Sequence, residues 1–253
     1  MRRSLGGHKR VAVACSGGAD STFLLRAACD SLGRANVLAV LVRSALIPAN
    51  ELARAQAVIG AMGCPSLFLD WDPFVCPEVV SNPPDRCYHC KKRIYSLMRA
   101  GIDPYEITVL LDGTNLDDLD EYRPGLQAIR ELDVAMPLVE AGLTKSAVRR
   151  LSRQAGLSTW NRPSASCLAT RIPCGTTISA ELIKLIAQCE EHLLQFGYAG
   201  CRVRMVHGKA HIELAAGDLA RFVSSPDRLS TIVFFAAHGI RGVLVDLQER
   251  KFR

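Results

Sequence analysis

Short, uninterrupted apolar runs alternate along the chain with longer segments whose apolar positions recur at helical spacing. Val11 to Cys15 is rich in valine and alanine, the pattern of a strand buried on both faces. Val37 to Val42, Ser66 to Leu69 and Val109 to Leu111 repeat that pattern. Between them lie a helix led by Asp20-Ser21-Thr22 and running to about Ser31, and an alanine-rich helix from Pro48 to Met62. Strands alternating with helices predict an α/β fold built on a doubly wound parallel sheet. Ligands of such sheets gather at the carboxyl ends of the strands. That rule puts Ser16 to Ser21, Arg43-Ser44, Asp70-Trp71-Asp72 and Asp112 to Asp118 on one rim.

Further on, Ala135 to Leu138 reads as a fifth, edge strand. Thr144 to Ala155 reads as a basic helix with Thr144 as N-cap and Gly156 just past its end. From Trp160 to Gly175 periodicity vanishes, and prolines and a glycine bracket Cys167, Arg171 and Cys174. A long irregular segment in a compact protein points to function. Ser179 to Phe196 is then an amphipathic helix, and Cys201 to Val206 and His211 to Leu214 form a hairpin around Gly208-Lys209. Leu219 to Ala237 is helical with a break near Pro226, and Gly242 to Leu247 is a last strand. We expect a large domain over 1–169 and a smaller α/β subdomain over 170–253.

Several turns carry chemistry. Ser16-Gly17-Gly18 breaks the first strand and leads into a helix N-terminus, which makes an anion site: glycines admit phosphate to the backbone amides, and the dipole favours negative charge. Ser16 and Ser21 add hydroxyl donors, and Asp20 suits a magnesium ion. No Gly-Lys-Ser/Thr follows, so this is not a Walker A loop. Ser-Gly-Gly-x-Asp-Ser after a valine-rich strand resembles the PP-loop of the ATP pyrophosphatases, which implies a HUP-like nucleotide-binding domain and adenylation with ATP. Asp112-Gly113-Thr114-Asn115 is a second polar turn, which either binds the nucleotide or magnesium or is a plain Asx turn. Cys87-x-x-Cys90 can place two sulfurs on one metal or cluster, or form a redox pair. No second Cys-x-x-Cys is present, so a metal site must recruit distant residues. Arg202 and Arg204 are two apart and share a strand face, as a phosphate clamp or as a solvated pair.

Composition narrows the classes. The 253 residues carry a net charge of +6, which fits an anionic ligand and does not by itself indicate nucleic acid. No run is long and apolar enough for a membrane span, and no signal-peptide pattern follows Met1-Arg2-Arg3. The ten cysteines are spread through the chain, which points to reduced thiols, a metal site or redox chemistry in the cytoplasm.

Taken in order, the PP-loop, Asn82 to Lys91, Asp112 to Asp118, Arg123-Pro124-Gly125, Ser164 to Arg171 and Arg202-Val203-Arg204 resemble the LarE family across nearly the whole chain. The resemblance implies an ATP-dependent sulfur transferase of nickel-pincer nucleotide biosynthesis. Such enzymes adenylate a carboxylate of pyridinium-3,5-biscarboxylic acid mononucleotide, and sulfur then replaces AMP to leave a thiocarboxylate. One kind sacrifices a cysteine. The other carries a [4Fe-4S] cluster on three cysteines, its open iron holding a sulfide. Carried onto this sequence, the resemblance implies ATP and Mg2+ bound through Ser16, Gly17, Gly18, Asp20, Ser21, Arg43, Ser44, Asp112, Gly113 and Asn115. Cys167 and Glu190 then act with Asp20 in catalysis, Arg171, Arg202 and Arg204 hold substrate, and Cys87, Cys90 and Cys167 hold the cluster. The cluster is the favoured sulfur source because it employs all three thiols. Cys174 stands where the family usually has tyrosine and leaves the ligand set open. The implied partners are a mononucleotide substrate and further copies of the chain, without a membrane or nucleic acid. The rivals are a PP-loop transfer-RNA thiolase, against which stands the lack of any RNA-binding module, and a non-enzymatic nucleotide or metal sensor.

Overall fold

The structure, a computed structural model, describes residues 5, 7–120, 123–162, 166–248 and 250. Ser164 and Ala165, which open the second motif, lie outside the described residues. The chain forms two compact units, Met1–Pro73 with Pro84–Ala165, and Phe74–Pro83 with Ser166–Arg253.

The first unit is built on four parallel strands, β1 (Val11–Ala14), β2 (Val37–Arg43), β3 (Ser66–Asp70) and β4 (Leu110–Leu111), in the order β3-β2-β1-β4. Successive side chains point to opposite faces of a sheet, so each buried strand feeds two cores. Val11, Val13, Val37, Ala39 and Leu41 pack with Leu24 and Leu25 of α1 (Ala19–Leu32) and Ile59 of α2 (Ala49–Met62). Ala12, Leu38, Val40 and Leu110 pack on the other face with Tyr95, Met98 and Ile102 of α3 (Arg86–Ile102) and Ile129 of α4 (Gly125–Glu131). The apolar runs are continuous because both faces are covered, as a parallel sheet requires. The sheet is therefore α/β and parallel, as its pattern predicts.

Two local readings change. Gly18, not Asp20, Ser21 or Thr22, is the N-cap of α1, so those three residues form the helix's first turn. The segment at 135–138 is not a strand: Ala135 makes a single parallel bridge to Leu111, and Pro137 starts a one-turn helix, Pro137–Glu140. Proline has no N–H to extend a ladder but suits a first helical position. Thr144 does cap α5 (Lys145–Gln154), accepting from the Ala147 amide at 3.3 Å.

In the second unit β5 (Arg202–Val206) and β6 (Lys209–Glu213) pair antiparallel, and β7 (Val243–Val245) lies parallel to β6. The hairpin turns at His207-Gly208, one residue before the predicted place, with φ +50° and +75°. A two-residue turn matched to strand twist needs positive φ at both positions, and glycine supplies one without strain. α6 (Ala180–Gln195), capped by Ser179, buries Ile183, Ile186, Cys189 and Leu193. α7 (Asp218–Ser224) and α8 (Asp227–Ala237) are separated at Pro226. Segment 74–83 belongs to this unit through Asn82, which is 1% exposed. Its side-chain amide donates to the Pro173 and Thr176 carbonyls at 2.8 and 3.1 Å, and its carbonyl accepts from Gly175 at 2.8 Å. Among the described residues no helix is long and apolar enough to cross a membrane.

Candidate active site

β1 ends in a loop whose backbone is fixed by close packing. Gly17 has φ +72°, and a Cβ there would lie 2.7 Å from Ala55 of α2. The Ser16 amide donates to Ser21 Oγ at 3.2 Å, and the two serine hydroxyls lie 3.1 Å apart. Gly18, the N-cap, has no side chain to accept from the first turn of α1, and its own amide donates to Ser16 Oγ at 3.4 Å. The first amides of α1 are thus left for an anion, as in other strand-loop-helix phosphate sites. Gly113 presses on the same turn: a Cβ there would meet the Ser21 amide nitrogen at 2.8 Å and Ser21 Cα at 3.0 Å. The two polar turns foreseen as neighbours on the rim are in contact.

Asp20, in the first turn of α1, accepts the Lys145 ammonium on Oδ2. Its Oδ1 is buried with no hydrogen-bond partner among the described residues. Burial holds the carboxyl above its ordinary value although Lys145 pulls the other way. A buried oxygen without a partner among the described residues, on a carboxylate at the helix end of the loop, suits a hard cation such as magnesium.

The remaining rim residues are more occupied. Asp112 Oδ1 accepts from the Thr114 amide at 2.8 Å, and Oδ2 accepts from the Tyr95 hydroxyl. Asn115 and Asp118 form a capping box, with the Asp117 amide donating to Asn115 Oδ1 at 3.0 Å. The side chains of Asp112 and Asn115 thus shape the turn that brings Gly113 to the loop. Arg43 pairs with Asp70 across β2 and β3, Nε to Oδ1 at 2.8 Å, on the surface. Ser44 Oγ accepts from the Leu46 amide at 3.3 Å. Sequence reasoning missed Lys145, and it missed the Glu51–Arg162 ion pair, whose arginine also donates to the Gly17 carbonyl at 3.4 Å. One signal was present. Lysine in a helix's first turn opposes the dipole, which suggests nearby negative charge.

Cys87 and Cys90 are the second and fifth residues of α3, three apart and so on one face, Cys87 exposed and Cys90 half-buried. Cys167 belongs to the second unit and is half-buried. Among the described residues no three His, Cys, Asp or Glu side chains are grouped to hold a metal ion.

In the second unit, the loop after Cys167 is fastened by Arg171, 5% exposed. Its Nε and Nη2 donate to Glu190 Oε1 and Oε2 at 2.7 and 3.1 Å. Its Nη1 donates to Thr170 Oγ1 at 2.9 Å and to Ser166 Oγ. Glu190 Oε1 also accepts from the Val203 amide at 2.9 Å, tying the loop to α6 and β5. Arg204 donates to the Thr170 carbonyl at 2.6 Å and pairs with Glu213. Arg202 has a buried Nε with no partner among the described residues. Burial, then the charges of Arg250 and Arg171, bring its guanidinium down to about 10. Arg250, which sequence reasoning also missed, is lowered in turn by burial and by Arg171. Four guanidinium groups thus share this region with the carboxylates of Glu190 and Glu213, an excess of positive charge that an anion would relieve. Cys174 is exposed, its thiol 3.4 Å from the Asn82 carbonyl.

A parallel α/β sheet with a small-residue loop and an open helix start at the end of β1 defines the class, the doubly wound proteins that bind ligands at the carboxyl rim. The chain belongs to the LarE family. It is 34% identical, over 94% of its length and 86% of the relative's, to the pyridinium-3,5-bisthiocarboxylic acid mononucleotide synthase of Lactiplantibacillus plantarum. An uncharacterised protein of Synechocystis sp. is 33% identical over 98% of the chain and 92% of its own. One from Methanocaldococcus jannaschii is 28% identical over 95% and 90%. No protein-family profile matches the chain.

Proposed function

We propose that the chain is an ATP-dependent sulfur transferase of nickel-pincer nucleotide biosynthesis, forming a thiocarboxylate from a carboxylate of pyridinium-3,5-biscarboxylic acid mononucleotide. The observation that carries this reading is the 34% identity, over 94% of the chain, to a synthase named for the bisthiocarboxylic product. A carboxylate is a poor electrophile. In the first step its oxygen attacks the α-phosphorus of ATP, the bond to the β-phosphate breaks, and pyrophosphate leaves. In the second, sulfur attacks the acyl carbon and AMP leaves with that oxygen.

The residues divide this work between the units. The Ser16-to-Gly18 loop and the start of α1 bind the phosphates of ATP. Asp20 would hold magnesium, since one of its carboxylate oxygens has no partner among the described residues. When bound, the metal offsets negative charge on the phosphates. Arg202 and Arg204 hold the phosphate of the mononucleotide. Arg171 and Glu190 act through one another to fix the loop that carries Cys167.

For the sulfur we propose a [4Fe-4S] cluster on Cys87, Cys90 and Cys167. Cys87 and Cys90 fit as a ligand pair, since they share one helix face and reach solvent. When bound, the cluster would supply a sulfide from its open iron. The alternative is donation of the Cys167 sulfur itself, supported by the way Arg171 fixes that one loop. The test is an anaerobic incubation with ATP, Mg2+ and the biscarboxylic mononucleotide. AMP, pyrophosphate and a product with one oxygen replaced by sulfur are expected, and ADP in place of AMP would overturn the adenylation. Iron and visible absorption in the purified protein support the cluster. Loss of hydrogen sulfide from Cys167 by mass spectrometry would replace it with the sacrificial route.

A further inference from the structure

Gly17 gives the loop after β1 a freedom that a binding site cannot use. Its φ of +72° and the 2.7 Å at which a Cβ would meet Ala55 leave glycine as the residue that fits there. Glycine restrains its own backbone least, so the plane of the Gly17–Gly18 peptide has to be held from outside. That unit is planar, and its carbonyl and amide turn together. Two contacts reach it. Arg162 Nη1 donates to the Gly17 carbonyl at 3.4 Å, and the Gly18 amide donates to Ser16 Oγ at 3.4 Å. The arginine stands on a fixed base. Its amide donates to the Thr159 carbonyl at 3.2 Å, the Trp160 amide donates to the Leu157 carbonyl at 3.3 Å, and Leu157 is buried in one core with Val11 and Val13 of β1. Arg162 Nη2 pairs with Glu51 Oε2, while Glu51 Oε1 accepts from Arg54 at 3.3 Å. Glu51 lies in the first turn of α2, where a carboxylate suits the helix dipole. The side chains of Arg162 and Glu51 are mostly buried, at 17% and 18% exposure.

We propose that Arg162 is a positioning residue for ATP, which with Glu51 holds the Gly17–Gly18 peptide so that its amide edge, and not its carbonyl, is turned to the phosphates. This rests on the ATP-binding reading of the same loop. Turned the other way, the plane would present the negative end of its dipole to the anion. A guanidinium suits the task, because one nitrogen takes the carbonyl while another keeps the carboxylate. Glu51 fixes the guanidinium and offsets its charge, so the contribution is one of orientation and not of attraction to phosphate. Donors ordered in advance raise affinity because binding does not have to order them. In this role Arg162 acts through Gly17 and need not touch ATP.

Arg162→Met should bind ATP about tenfold more weakly by equilibrium dialysis with Mg2+ present. Its melting temperature should fall as well, because Glu51 loses a partner in a mostly buried pair. The double variant Arg162→Met with Glu51→Gln separates the two effects. It removes one charge of each sign, so its melting temperature should return towards that of the wild type. Its ATP binding should stay about tenfold weaker than that of the wild type, because the Gly17 carbonyl is still unheld. A merely structural pair would regain ATP affinity together with the melting temperature, and that result overturns the proposal. So does an Arg162→Met protein with wild-type affinity. If Arg162→Met fails to fold, the ATP affinity of the double variant decides by itself. Failure of the wild type to bind ATP at all would overturn the reading of the loop. A wild type that binds ATP beside a double variant of equal affinity would overturn the role of Arg162 alone.

Discussion

Arg171 and Glu190 meet through two nearly parallel hydrogen bonds of 2.7 and 3.1 Å, with side chains 5% and 14% exposed. Neither charge is well placed to meet solvent, so the pair is a fastening for the Cys167 loop. Removing one partner of such a pair leaves a buried charge, which costs about 3–5 kcal/mol. Glu190→Ala should lower the stability of the second unit by that order in urea denaturation. The double variant Arg171→Met with Glu190→Leu should lose less than either single change. Equal losses from the double and the sum of the singles would show that the two residues act independently.

Asp20→Asn should abolish magnesium-dependent release of pyrophosphate, and it leaves the Lys145 ammonium without its anionic partner at every pH, so the pH dependence of the melting temperature is the informative reading. The sign follows from linkage. The folded carboxyl titrates above 3.8, so the folded state holds its proton longer than the unfolded chain. Its contribution to stability is full below the unfolded pKa and is lost as pH rises through the folded one. Asparagine lacks that loss, so the variant's melting temperature relative to the wild type should be highest near neutrality and fall on acidification. Melting curves across that range check it.

Arg202→Ala should raise the KM for the mononucleotide while leaving that for ATP unchanged. A charge-assisted contact is worth about 1.5–3 kcal/mol, or roughly tenfold to more than a hundredfold. Burial, and then the like charges of Arg250 and Arg171, already lower the Arg202 guanidinium to about 10. Its removal should therefore not reduce thermal stability. Arg204→Ala differs, because it also breaks the bond to the Thr170 carbonyl and the pair with Glu213.

Cys64 should be the thiol most reactive near neutral pH in the first unit. A hydrogen bond from Cys29 brings it down to about 7, while Cys29, held protonated by that bond and by burial, is raised. The thiolate is the nucleophile. Alkylation of Cys64 by iodoacetamide should therefore rise as pH passes about 7, and Cys29→Ala should move that midpoint upward. Peptide mapping after timed labelling reads both. Cys189 and Cys201, pushed up to about 12 chiefly by burial, should stay unlabelled in the folded protein.

The parallel sheet was legible because β1 and β2 are buried on both faces and spell this out as unbroken apolar runs. The loop at Ser16 was legible because small residues, a turn and a helix start fall together in sequence. Lys145 was harder to see: it meets Asp20 across 125 positions of chain. Glu51 and Arg162 are 111 apart. Such pairs are set by how helices pack on the sheet, which no local pattern records. The edge strand at 135–138 failed for a local reason, since Met136-Pro137 reads as apolar while Pro137 cannot extend a ladder. Glu190 and Arg171 were picked out by resemblance, but their use of each other as partners appears only in three dimensions.

Asn82 has a consequence for synthesis. Its partners at Pro173, Gly175 and Thr176 leave the ribosome some ninety residues after it does. The second unit cannot close on Asn82 until then, so a nascent chain halted before residue 173 carries 74–83 without its native hydrogen bonds. A fragment starting at residue 166 has the opposite lack: the strands and helices after that residue are present, but the helix Pro77–Val80 is missing and the carbonyls of Pro173 and Thr176 have lost their donor. Adding a peptide of residues 74–83 in trans should restore protease resistance to that fragment, and the same peptide with Asn82→Ala should not.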